Sequence, residues 1–224
     1  MPDTRPSPLH LALRVVNRVR ARGIGEVLEL TADRVRGAWA SEETLILLVR
    51  EAGSLERAAQ GLVFRRAEVK DAARYARDVG TDSGTTFTRR LADDVSCFIV
   101  EDGRKILHAS WVTTSAAWTR EVQALLAPPP GDAYVYESFT RADARGRGIY
   151  PLALAGMVTE LAARGIERVW VGVEASNEPS RRAIAKAGFE EGFQIRFSRR
   201  HGKLMVDRPR GPLADEGELF LLRG

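Results

Sequence analysis

The sequence predicts one α/β domain with an N-terminal extension, and three observations carry that reading. Strand-like and helix-like segments alternate from Leu62 onward. A glycine-containing turn, Arg145-Gly146-Arg147-Gly148, stands between a strand and a helix. The 224 residues are 44% hydrophobic and 29% charged, the mix of a globular chain rather than a disordered or collagen-like one. At this length folding buries roughly 70% of the unfolded surface, so no covalent staples are needed. The expected division is a helical extension with a short strand over residues 1–60 and the domain over 61–224.

The elements follow from periodicity and punctuation. Leu9, Leu11, Ala12, Val15, Val16 and Val19 recur at helical spacing, Gly23-Ile24-Gly25 interrupts them, and 26–39 resumes the pattern more weakly. Residues 44–49 form an apolar strand closed by Gly53-Ser54. A strand at 62–66 precedes helices at 68–78 and 86–92. Strands at 96–100 and 105–112 are joined through Glu101-Asp102-Gly103-Arg104, with glycine where positive φ is required. Residues 118–126 read as helix or loop and stop at Pro128-Pro129-Pro130. Then come a strand at 133–140, a helix at 151–164, a strand at 168–175 and a helix at 180–187. A hairpin of 192–198 with 203–206 follows, and 219–222 adds a last edge.

Composition excludes several classes. One cysteine rules out a disulfide framework and suits a reducing compartment, and Cys97 lies in an apolar run where a buried thiol is expected. Three scattered histidines offer no metal cluster, so no metal is expected. Net charge +4 and a pI near 9.6 are compatible with nucleic acid. The 34 basic residues, however, are Arg in all but four cases, spread along the chain and matched by 30 acids. No nucleic-acid partner is therefore expected. The apolar run Leu45-Ile46-Leu47-Leu48-Val49 falls far short of the roughly 18–20 residues of a membrane span. A cytoplasmic protein is the expectation.

The informative stretch is 134–189. Two glycines before a helix let the backbone approach a ligand without Cβ obstruction. The first-turn N–H groups of that helix point outward, at the positive end of its dipole. Such a turn suits a phosphate. It is neither a dinucleotide fingerprint, which needs a third glycine, nor a P-loop, since no Gly-Lys-Ser/Thr follows.

The order of elements around this turn resembles the GNAT superfamily of acyl-coenzyme A-dependent N-acyltransferases. The resemblance spans about 62–206 and is carried by Arg145-Gly146-Arg147-Gly148-Ile149-Tyr150, the strand Val169-Trp170-Val171-Gly172-Val173, Glu174-Ala175-Ser176-Asn177 and Lys186-Ala187-Gly188-Phe189. It implies a mixed, largely antiparallel sheet, splayed between strands 133–140 and 168–175, with helices on both faces. It further implies that acetyl-CoA or another acyl-CoA is co-substrate, its pyrophosphate held by the backbone of Arg145, Gly146, Arg147, Gly148, Ile149 and Tyr150. Arg145 and Gly148 match the first and fourth positions of Gln/Arg-x-x-Gly-x-Gly/Ala, whereas Tyr150 stands where Gly or Ala is commonest. By the same resemblance Ser138, Phe139 and Thr140 lend groups to the pantetheine arm, and Asn177 and Ser180 contact it.

The family's usual general acid, a tyrosine, maps onto Ile184, which cannot protonate a thiolate. Tyr136, Tyr150 and Ser180 are substitutes to be weighed. Glu137, in a strand expected to be apolar and so to raise its pKa, is the first candidate base, and Glu174 the second. His108 and Trp118 are candidates for the acceptor side. The implied reaction is direct attack by a primary amine in a ternary complex, with a small-molecule amine as acceptor. Two alternatives stand beside it: a protein, peptide or long-chain N-acyltransferase, and a CoA-binding module without turnover. The extension is open to three roles: covering the acceptor site, forming a homodimer contact, or meeting a partner protein.

Overall fold

The computed structural model describes residues 40–54, 61–200 and 203–222. The helices expected over the first forty residues lie outside them. Eight strands form one sheet in the order β10-β9-β1-β8-β7-β4-β3-β2. They are β1 (Ala40–Glu51), β2 (Val63–Arg66), β3 (Val95–Glu101), β4 (Ile106–Thr113), β7 (Ala133–Thr140), β8 (Arg168–Glu174), β9 (Glu190–Arg200) and β10 (Lys203–Val206). Every pairing is antiparallel except β7 with β8. The mixed, mostly antiparallel sheet expected from the sequence is thus the one present.

β1 lies between β8 and β9, so the sheet takes in residues on both sides of position 60. Its unbroken apolar run reflects coverage of both faces. Ile46 packs with Val135, Val171 and Met157 on one side, while Leu45 and Leu47 meet Trp170, Phe193 and Ile195 on the other.

The first face is covered by α3 (Ile149–Ala162), which buries Ile149, Ala153, Leu154, Met157, Val158 and Leu161, and by α4 (Glu178–Lys186). The opposite face is covered in two parts. Over β3 and β4 lie α1 (Ala72–Asp78) and α2 (Gly84–Arg90), where Tyr75, Phe87 and Trp111 pack as an aromatic trio. Trp111 Nε1 donates to the Tyr75 hydroxyl at 2.9 Å, so its buried polar atom is satisfied. Over β8 and β9, Phe220 of α5 (Ala214–Phe220) meets Trp170 and Phe193 at ring separations of 5.3 and 5.6 Å.

Residues 118–126 hold no helix, and only 120–123 are a turn. They carry β5 (Ala117–Thr119) and β6 (Ala124–Leu126), which with β11 (Leu221–Leu222) make a second, three-stranded sheet. Ala117 and Thr119 are buried while Trp118 between them is 58% exposed, a period of two that a three-residue strand shows only faintly. Gln123 turns the chain at φ 47°. The stretch 219–222, expected as an edge, is the end of α5 followed by β11.

β7 and β8 pair only at Ala133–Val169, Tyr134–Trp170 and Val135–Val171. A bulge in β7 then redirects the strand. Ala109 faces Phe139 and Trp111 faces Tyr136, so two steps along β4 match three along β7. Glu137 takes the extra step, at φ 49°. A bulged strand bends and twists, and beyond Val135 it no longer pairs with its parallel neighbour. That departure opens the splay.

Candidate active site

The C-terminal ends of two parallel strands lie on the same edge of their sheet, so Thr140 of β7 and Glu174 of β8 bring the segments that follow them to one side. After β7 the chain makes a 3₁₀ turn at Ala142–Ala144 and enters α3 through the glycines. Gly146 and Gly148 have φ of 75° and 72°, and Gly148 is the N-cap residue. L side chains are strained there by about 1–2 kcal/mol. Nothing lies within 4 Å of where a Cβ would stand at either position, so the space before the turn is open. Arg145, Gly146, Arg147 and Gly148 are exposed, whereas the Ile149 side chain is buried and can offer a ligand only its backbone. The backbone of this turn is thus uncovered and flanked by two exposed arginines, chemistry suited to an anion.

Tyr150 does not crowd that space. Its ring turns inward onto His108, with centroids 5.2 Å apart. Burial pushes the phenol up to about 12, with the Ser138 hydroxyl pulling the other way. His108 is 1% exposed, and burial pushes its imidazole down to about 3. Its Nδ1 lies 2.7 Å from Thr140 Oγ1 and its Nε2 lies 2.8 Å from Ser110 Oγ, which is 2.8 Å from Ser138 Oγ. His108 is therefore part of the wall below the splay rather than of an acceptor pocket.

The residues following the bulge divide by face. Ser138 is exposed and Thr140 half-buried, both toward His108, while the Phe139 side chain is buried on the α1–α2 side. Phe139 can thus meet a cofactor only through its main chain. On that same side Glu137 Oε2 accepts from Arg90 Nη1 at 2.7 Å, and Arg90 also donates to Asp82 Oδ2 at 2.6 Å. The guanidinium lies 3.9 Å above the Trp111 ring and 5.6 Å from that of Tyr136. Burial opposes the charge of Arg90, but Glu137, Tyr136 and Asp82 outweigh it and raise its pKa. Tyr136 is itself pushed up by burial, with Arg90 pulling down.

The Glu137 side chain is 51% exposed and ion-paired. The apolar surroundings expected for it are absent, because the bulge turns it out of the strand's alternation. Glu174 is half-buried at the end of β8, and its carbonyl accepts from the Asn177 N–H at 2.9 Å. Asn177 caps α4, its side-chain oxygen accepting from the Ser180 N–H at 3.2 Å. Ile184 is fully buried in the core beneath α3, so no acid stands there. Gly172 has no room for a side chain, since a Cβ would lie 2.7 Å from the Tyr134 hydroxyl. Cys97 is fully buried and its thiol is pushed up by burial. Among the described residues no helix is long and apolar enough to cross a membrane.

Sequence reading missed Arg90 and Ser110. Arg90 had no signal, being 47 residues from Glu137. Ser110 had one: His108-x-Ser110 and Ser138-x-Thr140 are i, i+2 polar pairs on neighbouring strands.

Fold and site together define an α/β protein with an open glycine turn at the mouth of a splayed sheet. The profile of the acetyltransferase (GNAT) family matches residues 67–189, and the chain belongs to that family. Its members use acyl-CoA as co-substrate. No curated protein matches by sequence. A solved structure of a GNAT-family protein from Novosphingobium aromaticivorans aligns over 70% of this chain and 63% of its own, at 18% identity and TM-score 0.50. A Drosophila protein aligns over 80% and 59% (14% identity, TM-score 0.48). The ribosomal-protein-S18-alanine N-acetyltransferase of Escherichia coli aligns over 58% and 77% (16% identity, TM-score 0.45). The chain thus spans less than two thirds of the first and second of these. The first likeness is one of fold.

Proposed function

We propose that the protein transfers an acetyl or other acyl group from acyl-CoA to a primary amine of a small molecule, by direct attack in a ternary complex. The observation that carries this reading is the open left-handed turn at Gly146 and Gly148, set where β7 leaves β8. Main-chain N–H groups from Gly146 to Tyr150, with Arg145 and Arg147, would hold the diphosphate. Main-chain groups of Ser138, Phe139 and Thr140 would line the pantetheine arm, with Asn177 and Ser180 across the splay. When bound, acyl-CoA supplies a thioester carbonyl activated toward an amine.

The chain's own residues then position and deprotonate. Holding the amine against the carbonyl removes much of the entropic barrier. Glu137 accepts the amine's proton, directly or through water, from an exposed site where Arg90 fixes the carboxylate's orientation. Glu174 is the second base, and Tyr136 borders Arg90 on the same side. Cys97 is too deeply buried to form an acyl-enzyme.

The buried Ile184 favours one rival reading, a CoA-binding module without turnover. Thiol release from acetyl-CoA, followed over a panel of amines with acylated products identified by mass spectrometry, decides between them. Amine-dependent release supports the transferase; binding of acetyl-CoA with no release under any amine supports the module. Acylation of peptides alone would move the acceptor to protein.

A further inference from the structure

The wall below the splay contains a polar chain that the proposed reaction does not use. Thr140, His108, Ser110 and Ser138 are joined in that order by hydrogen bonds, and the Tyr150 ring stacks on His108. His108 and Ser110 are buried, and Ser138 and Thr140 retain exposure beside the glycine turn.

Each hydroxyl has one proton, so the direction of one bond dictates the next. A neutral imidazole has one N–H and one bare nitrogen, and the depressed pKa of His108 keeps it in that form near neutral pH. In one tautomer Nδ1–H donates to Thr140, and Ser110 donates to Nε2. Ser138 then donates to Ser110. Thr140 is left with a free proton for the splay, and Ser138 with a lone pair. In the other tautomer every bond reverses. Thr140 donates to Nδ1 and presents a lone pair, while Ser110 donates to Ser138, whose proton becomes available. In either state the two hydroxyls of β7 carry opposite polarity. An amide, with one N–H and one carbonyl, has the matching pair.

We propose that His108 is a positioning residue whose tautomer presents Ser138 and Thr140 as one donor and one acceptor to an amide of the pantetheine arm. This rests on the acyl-CoA reading above. Tyr150 then has a role that Gly or Ala at that position could not fill, since its ring packs on the imidazole.

The test compares two ligands by calorimetry on the full chain: coenzyme A, and adenosine 3′,5′-bisphosphate, the nucleotide half without amides. Ser110→Ala breaks the chain with little change of volume. His108→Gln keeps one donor and one acceptor but cannot switch between tautomers. Ser110→Ala is expected to weaken coenzyme A about 3- to 10-fold and His108→Leu at least 10-fold, with His108→Gln in between and the bisphosphate within twofold throughout. The His108 ¹⁵N resonances of wild type should report a neutral ring and shift with coenzyme A but not with the bisphosphate. If folded Ser110→Ala and His108→Gln bind coenzyme A as wild type does, the proposal fails. It fails equally if both ligands weaken together, if the ring is protonated, or if its resonances ignore coenzyme A. Should wild type bind neither ligand, the acyl-CoA reading fails, and this inference with it.

Discussion

The bulged half of β7 has two faces built on opposite electrostatic plans. Toward α1 and α2, Glu137 stands half in water, paired with an arginine that is shared with Asp82 and laid over Trp111. Toward α3, Ser138 and Thr140 join a buried imidazole with no formal charge nearby in the chain of bonds. A carboxylate can take up a proton only where its charge is supported by solvent or a counter-ion. A hydroxyl network can stay buried because every member finds a partner. One extra residue, Glu137, lets a single strand present both. The comparison predicts that variants on the first face change turnover and variants on the second change binding.

The largest effect is expected on the charged face. The double variant Glu137→Gln/Glu174→Gln should lower kcat by about 100-fold or more, in the range of general-base catalysis. Coenzyme A affinity should stay within twofold. Full activity of the double variant across pH 6–9 would remove both carboxylates from the chemistry.

Next is the acid stability of the neutral face. His108 has its pKa lowered from 6.5 to about 3 on folding. Between those values the unfolded chain binds the proton that the folded chain refuses. Stability should therefore fall as pH drops from 6.5 toward 3, by at most about 1.4 kcal/mol per pH unit from this group. In His108→Gln that contribution vanishes. Denaturant unfolding of both proteins from pH 7 to pH 4 would show curves that converge in acid, and parallel curves would mean that His108 is not held neutral.

A smaller effect is expected for Arg90→Met. It leaves Asp82 and Glu137 without their common partner, at a cost of roughly 1–2 kcal/mol in thermal or denaturant unfolding. Turnover should drop several-fold as Glu137 loses its fixed orientation. A loss of coenzyme A affinity without loss of turnover would contradict the division of faces. The smallest effect belongs to Trp118→Ser, at an exposed position of β5. Stability should move by no more than about 0.5 kcal/mol, and a change in acceptor KM would place this residue in the acceptor wall.

Most of the sheet and its helices were legible because periodicity and turn residues are local signals. Gly103, Gly146 and Gly148 each mark their own conformation. What was not legible depends on partners distant in sequence. Nothing within 44–49 says that this strand inserts between β8 and β9, and that placement comes from Leu47 facing Gly172 on one side and Phe193 on the other. The bulge at Glu137 is a mismatch in count between two strands, invisible in either alone. Trp118 and Leu125 face each other across short strands whose pairing is completed by residues near the C-terminal end. In the site, the glycine turn was evident from the sequence, whereas the Arg90–Glu137 pair and the inward rotation of Tyr150 needed the fold.

All of this depends on the left-handed turn before α3 taking the diphosphate of a thioester cofactor. Titration of coenzyme A into wild type and Gly148→Val, followed by calorimetry, tests it most directly. Wild type should bind one equivalent, and the valine, strained at φ 72° and projecting into the open space, should weaken binding at least 10-fold while the protein remains folded. No heat from wild type, or equal affinity in the two proteins, would contradict the account.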